Sequence, residues 1–363
     1  MPKAKKAKSG RAGAGETLES RGRVGSALKW VGGGTAVLSL VFGLRQLTVL
    51  ISDVRDRQRQ VTELIAMGKL QQEARDYRSA WNSLGKAAEL RANESRVHAG
   101  QEDLAMAWLD NIRGSQEPTP FSAIVDLLVP VLSRGVVAAE GPRKADLLAH
   151  LGWADFLRWR DGQRSLEPGE RYRQALAVDS QNLYAHAMLA HWILWNGGNL
   201  EDANRHFATA LRSGRERPYV RRLQLAALAN MPEGTGDLEL LRVANDMRKG
   251  NEPMDPDGRD RIWNTYYSRF VSSPTEDSID QLFAAVPPAE QVATYRWVFQ
   301  NTEYVESKGF LYEYQLARLQ DVAGQQVEAL ATYRSVRSKL TPDAIYRIRR
   351  RVDSAIVRLT KRP

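Results

Sequence analysis

The chain of 363 residues contains no cysteine. Disulfides, thiolate metal sites and cysteine nucleophiles are therefore excluded. Histidine is scarce, with five residues at 98, 150, 186, 191 and 206. None falls in an HExxH or comparable metal-ligand spacing. His186 and His191 are five apart and do not share a helix face well, so packing or surface roles are expected. GxxxxGK[ST], GxGxxG and GxSxG patterns are also missing, which removes the common signatures of phosphate cradles and nucleophile elbows. Neither a catalytic residue, a cofactor nor a metal is predicted. Alternating β-branched runs are missing too, so strands are not expected. Only one stretch is strongly apolar, the fifteen uncharged residues from Trp30 to Leu44.

Charge is placed at the ends. The net charge is +9, yet residues 1–29 carry +6 and residues 341–363 carry +5, leaving the body between them at −2. A nucleic-acid surface needs a basic face with groups that read or stack on bases. The body offers none, so nucleic acid is not an expected partner. Residues 1–29 lack apolar periodicity and read as a basic disordered tail.

Arg45 and Gln46 interrupt the apolar run, which resumes as LTVLI to Ile51. Trp30–Ile51 then supplies 22 residues, against about 20 needed to span a bilayer. Arg45 lies six residues from the far end, within snorkelling reach of the headgroups. No small-x-small cleavage site follows, which disfavours a cleaved signal peptide. The run shows no polar face, which disfavours an interfacial helix. The expectation is one transmembrane helix over 30–51. Eight Lys/Arg precede it, and Arg55, Arg57 and Arg59 follow it. That excess places the N-terminus in the cytoplasm and the large domain outside it, in the periplasm if the membrane is a bacterial inner one.

From Asp53 onward, helical apolar patterns alternate with short polar breaks. The segment 61–90 carries Leu64, Met67 and Gly68 in a first helix, then Tyr77, Ala80, Leu84 and Ala87 in a second. Comparable spacing recurs three times. Residues 147–175 give Leu148, Leu151, Gly152, Tyr172 and Ala175. Residues 183–211 give Leu189, Ala190, Ala203, Phe207 and Ala210, with Gly197-Gly198 at the turn. Residues 311–336 give Leu316, Ala317, Gly324, Ala329 and Tyr333. Small residues let paired helices approach, and rings fill the wedge between them. The segment 341–359 reads as a closing helix with Thr341 as N-cap and Pro342 as first residue.

These units resemble tetratricopeptide repeats. The resemblance is good over 61–92, 145–212 and 308–340 and weak over 94–140 and 213–305. It implies an all-α, TPR-like α-solenoid of helical hairpins after one transmembrane helix. The array covers 53–212, a degenerate helical region 213–305, and a final hairpin with its cap 306–363. The stretch 247–260 is the linker candidate.

In that family the first helix of each pair lines a concave groove. By position this implies Ile65, Lys69 and Gln72 from the first unit, and Trp153 and Phe156 from the unit at 145. It implies Tyr184, His191 and Trp195 from the next, and Tyr314 and Arg318 from the last. Trp192 reads as core. A groove of that kind binds peptide or helical segments of protein partners, so the expectation is a membrane-anchored interaction scaffold, not an enzyme. Gripping of a peptide's terminal carboxylate is not expected, because only Lys69 falls at such a position. Two alternatives stay open. One is an enzyme with its site in 213–305, around Arg259, Asp260, Arg261 and Tyr266. The other is an adaptor on the cytoplasmic face of the membrane.

Overall fold

The computed structural model describes residues 52–112, 120–232, 235–254, 256–272, 283–299, 309–340 and 346–361. The expected membrane segment 30–51 and the cap residues Thr341 and Pro342 lie outside them. Among the described residues no strand occurs. No described helix is long and apolar enough to cross a membrane.

Fifteen helices run in chain order among these residues. The first, α1, covers 52–73. Then come α2 (Tyr77–Leu90), α3 (Ser95–Asn111), α4 (Ser122–Ala138), α5 (Gly141–Arg160) and α6 (Pro168–Val178). They continue as α7 (Leu183–Trp195), α8 (Leu200–Arg212), α9 (Arg217–Leu228), α10 (Gly236–Lys249) and α11 (Pro256–Ser272). The last four are α12 (Pro288–Phe299), α13 (Gly309–Val322), α14 (Gln326–Lys339) and α15 (Tyr346–Thr360).

Local chemistry sets where these helices start and stop. Arg75 turns the chain after α1 with φ of 61°, and Asp76 then caps α2 by accepting from the Ser79 N–H at 3.1 Å. Asn182 caps α7 through the Ala185 N–H at 2.9 Å, and its amide donates to Asp146 of α5 at 2.7 Å. One side chain thus ends a loop and fixes it to the previous hairpin. Gly197 takes φ of 73° between α7 and α8, a conformation that glycine adopts without steric cost.

The second helices bury one stripe at i, i+4 and i+7. It is Ala80, Leu84 and Ala87 in α2, Pro168, Tyr172 and Ala175 in α6, Ala203, Phe207 and Ala210 in α8, and Ala329, Tyr333 and Val336 in α14. The middle residue of each triad is a bulky group packed into the hairpin. Opposite it in the first helices stand Gly68 and Gly152. A Cβ on Gly68 would lie 3.0 Å from Leu84 Cγ, and one on Gly152 only 2.5 Å from the Tyr172 ring. Gly152→Ala is therefore expected to cost about 1–3 kcal/mol by overpacking. Gly85 of α2 has open space around it, so Gly85→Ala is expected to stabilise by about 0.5–1 kcal/mol through helix propensity. Thermal melts of the two variants should move in opposite directions.

Each helix packs on the next, and α3, α5, α7, α9 and α11 also touch in series. That second set of contacts turns a string of hairpins into a solenoid with an inner row of helices. The buried residues of α9–α12, including Val220, Leu241, Trp263 and Tyr295, belong to the same continuous core as those of α3–α8. A second core joins α13, α14 and α15 through Ala317, Tyr333 and Val352.

The stretch 247–260 is not a free linker. Met247–Lys249 end α10 and residues 256–260 start α11, and the described residues between the helices are 250–254. Gly250 closes α10, Asn251 takes the left-handed turn after it with φ of 50°, a conformation asparagine tolerates, and Pro256 opens α11, a place that suits its fixed φ. Glu252 ties the connection to α9: its carboxylate accepts from Arg217 at 2.5 Å and from Arg221 at 3.0 and 3.1 Å. Burial pushes this carboxyl's pKa up, but the two guanidinium groups outweigh it and hold the pKa below its ordinary value.

Candidate functional site: a cationic, aromatic-floored cavity on the inner helices

The inner row encloses a cavity of about 530 Å³, within the range of ordinary ligand pockets. Its walls come from five helices and their ends. Asp110 and Ile112 stand at the end of α3, and Trp153, Phe156 and Arg160 come from α5. His191 and Trp195 belong to α7, Arg222, Leu223 and Ala226 to α9, and Asp260, Arg261 and Asn264 to α11. Asn230, just past α9, completes the rim.

The floor is a cluster of rings. The His191 imidazole lies 4.9 Å from Phe156, 5.1 Å from Trp153 and 5.8 Å from Trp195, centroid to centroid. Phe156 meets Trp195 edge-on at 5.5 Å. Offset and edge contacts of this kind match the quadrupoles of the rings. Trp153 is 8% exposed and its indole N–H donates to the Leu109 carbonyl at 3.2 Å. His191 is 3% exposed. Burial first, then the neighbouring Arg160 and Arg261 charges, push its pKa down from 6.5 to about 3. The imidazole is therefore neutral near pH 7. Its Nδ1 and the Trp195 Nε1 are both buried without a hydrogen-bond partner among the described residues.

Three guanidinium groups surround this floor. Arg160 lies 5.2 Å over the Trp195 ring and 5.2 Å over Phe121. Burial, then the Arg261 charge, lowers its pKa below the ordinary value, against a smaller opposite pull from Asp161. Arg222 sits 5.2 Å over Tyr219 and donates to the Asp110 carbonyl oxygen at 2.5 Å.

Behind the cavity lies a polar network. His150, 1% exposed, donates from Nδ1 to the Asp146 carbonyl at 2.6 Å, and its Nε2 is 3.3 Å from both carboxylate oxygens of Asp110. Burial lowers the His150 pKa, but Asp110 and the Asp146 carbonyl outweigh it and raise it above the ordinary value. Tyr184 packs between His150 at 4.8 Å and Tyr219 at 5.6 Å. Burial raises its phenol pKa.

The structure thus brings together Trp153, Phe156, His191 and Trp195 of the residues singled out by repeat register. Tyr184 sits in the network behind them. Lys69 is exposed on α1 and Ile65 and Gln72 are half-buried there; none of the three lines the cavity. Tyr314 and Arg318 line a different cavity of about 630 Å³ with Tyr333, Arg350 and Arg358. Asp260 and Arg261, named above for the alternative enzyme site, line the inner cavity, and the side chain of Tyr266 lies outside the described residues. Among the described residues no group of three or more His, Asp or Glu is placed to hold a metal.

Sequence reasoning missed Arg160, Arg222, Asn230 and Asn264. Arg160 was within reach: it continues the Trp153–Phe156 stripe by one more turn. Arg222 and Arg261 lie where the small-residue register fails, so position in a repeat could not point to them.

No protein-family model matches the chain, and no curated protein matches it. Among solved structures it is similar to the crystal structure of the P58(IPK) TPR domain. That similarity has 12% identity and a TM-score of 0.19, covering 84% of this chain and 99% of that one. The class of fold rests on the helix pairing itself: an α-solenoid of antiparallel hairpins with an inner-row cavity.

Proposed function

We propose that the protein is a non-enzymatic scaffold whose inner-row cavity binds an extended or helical segment of a protein partner. The observation that carries this reading is the convergence of five successive inner helices on one ring-floored cavity. Buried aromatic anchors with a polar rim are the usual make-up of a binding hot spot. The rim residues Asn230 and Asn264 are exposed and leave the cavity open to a chain passing across it.

The reading includes a membrane anchor at Trp30–Ile51, with the N-terminus cytoplasmic and the helical array on the other side. Such an anchor raises the local concentration of membrane-associated partners without adding contacts. Alkaline carbonate extraction of the full chain should leave it in the membrane pellet, and release into the supernatant would remove the anchor from this account.

Groove binding is tested by steric block. Asn264→Trp fills the rim from an exposed position and is expected to abolish recovery of the partner that copurifies with the full chain, at unchanged Tm. Arg205→Trp, on the outer helix α8 and paired there with Glu201 and Asp202, should have no effect. Equal recovery with both variants would place the binding surface elsewhere.

A further inference from the structure

We propose that the inner cavity takes an internal acidic side chain of the partner segment, seated beside a bulky apolar side chain; this rests on the groove reading above. Three features carry it. Arg160, Arg222 and Arg261 line the cavity, and among the described residues none of them forms an ion pair with a carboxylate. Of the two carboxylates in the wall, Asp110 already faces the buried His150 at 3.3 Å. Asp260 alone stands against three guanidinium groups, so the cavity carries an excess of positive charge.

Arg160 and Arg261 are close enough to repel one another. A bound anion relieves that repulsion, whereas a neutral side chain leaves it in place. Arg also presents a planar fork that matches a carboxylate.

The uncharged groups agree with this assignment. His191 is 3% exposed, lines the cavity, and has an unpartnered Nδ1; Trp195 adds an unpartnered indole N–H. The indole N–H is a donor, and Nδ1 is one in the tautomer that carries its proton there; both are already unpaired, so an occupant that accepts from them gains hydrogen bonds that one without acceptors does not. Ile112, Trp195 and Ala226, each half-buried at the cavity, supply apolar surface for the neighbouring side chain.

The probes are three tetrapeptides offered to the full chain, with binding read by saturation-transfer NMR. The first is acetyl-alanyl-phenylalanyl-glutamyl-alanine amide. The second is its glutaminyl counterpart, and the third is that glutaminyl peptide with a free C-terminus. The glutamyl peptide is expected to bind about tenfold more tightly than the other two, through charge-assisted hydrogen bonds. Arg160→Gln and Arg261→Gln should each shrink that preference to about twofold, while Arg205→Gln keeps it. Equal binding of glutamyl and glutaminyl peptides overturns the proposal and leaves the groove reading standing. So does a free C-terminus that substitutes for the glutamyl side chain, or an equal loss in Arg205→Gln. Binding of none of the three also overturns it, and the Asn264→Trp block, which does not depend on charge, then decides separately whether the groove takes a partner.

Discussion

Trp153→Ala is expected to lower stability by about 3–5 kcal/mol, the range for truncating a large buried ring. Trp153 is both the floor of the cavity and part of the continuous core. Its ring packs on Phe156 at 4.9 Å and on His191 at 5.1 Å, so truncation opens a void beneath two other site residues. Its indole N–H also satisfies the Leu109 carbonyl in the last turn of α3. Trp153→Phe keeps most of the ring volume and loses that hydrogen bond, and should cost about 1 kcal/mol from the bond together with a smaller void. Denaturant titration of both variants measures this. A loss below 1 kcal/mol for Trp153→Ala would mean that the ring is free in the groove and not part of the core.

The second large effect is on acid stability. The unfolded chain protonates His191 near 6.5, but the folded chain holds its pKa down to about 3. Between those values the unfolded state binds the proton and the native state does not. The stability contributed by this site is therefore complete above pH 6.5 and is lost progressively as pH falls toward 3. Over the two units from pH 6.5 to 4.5 the loss is about 2 kcal/mol, since the unfolded chain is only half protonated at the start of the interval. His191→Phe keeps a ring among Trp153, Phe156 and Trp195 and removes the proton site. Its stability should fall about 2 kcal/mol less than the parent's over that interval. His150 works with the opposite sign, since its raised pKa gives stability that is present below 6.5 and lost as pH rises through the folded value. It is common to both proteins, so their difference at each pH reports His191. Parallel stability curves would contradict the buried, neutral imidazole.

Much of the hairpin architecture was legible because close packing is written in residue size. Ala80, Leu84 and Ala87, and the matching triads through Ala329, Tyr333 and Val336, stand at the spacing that one buried helix stripe requires. Gly152 had to be small because Tyr172 lies against it. Trp192, read as core, is 5% exposed.

The candidate site was legible only in part. Register selects a helix face but not a height along it. Tyr184 and His191 are seven residues apart and share a face of α7, yet they lie about 10 Å apart along the axis at 1.5 Å per residue. The cavity takes the end of α7 that bears His191 and Trp195, and Tyr184 joins the buried network at the other end. The arginines were harder still. Two of the three come from α9 and α11, which carry no repeat signature, and their convergence with α5 depends on the serial packing of α5, α7, α9 and α11. The stretch 247–260 read as a linker because proline, glycine and charge dominate it. In the folded chain Gly250 and Pro256 bound two helices, and Glu252 fastens the short connection to α9.

The central claim is that the partner lies across the inner row of helices. Site-specific photocrosslinking tests it most directly. A photoreactive residue is placed at Asn230 or Asn264 on the cavity rim, or at Glu201 or Arg205 on the outer helix α8, in the full chain. The account predicts that one defined polypeptide crosslinks from both rim positions and from neither outer position, and that adding Arg261→Gln weakens the rim crosslink. Crosslinking of that polypeptide from α8, with the rim positions silent, would contradict it.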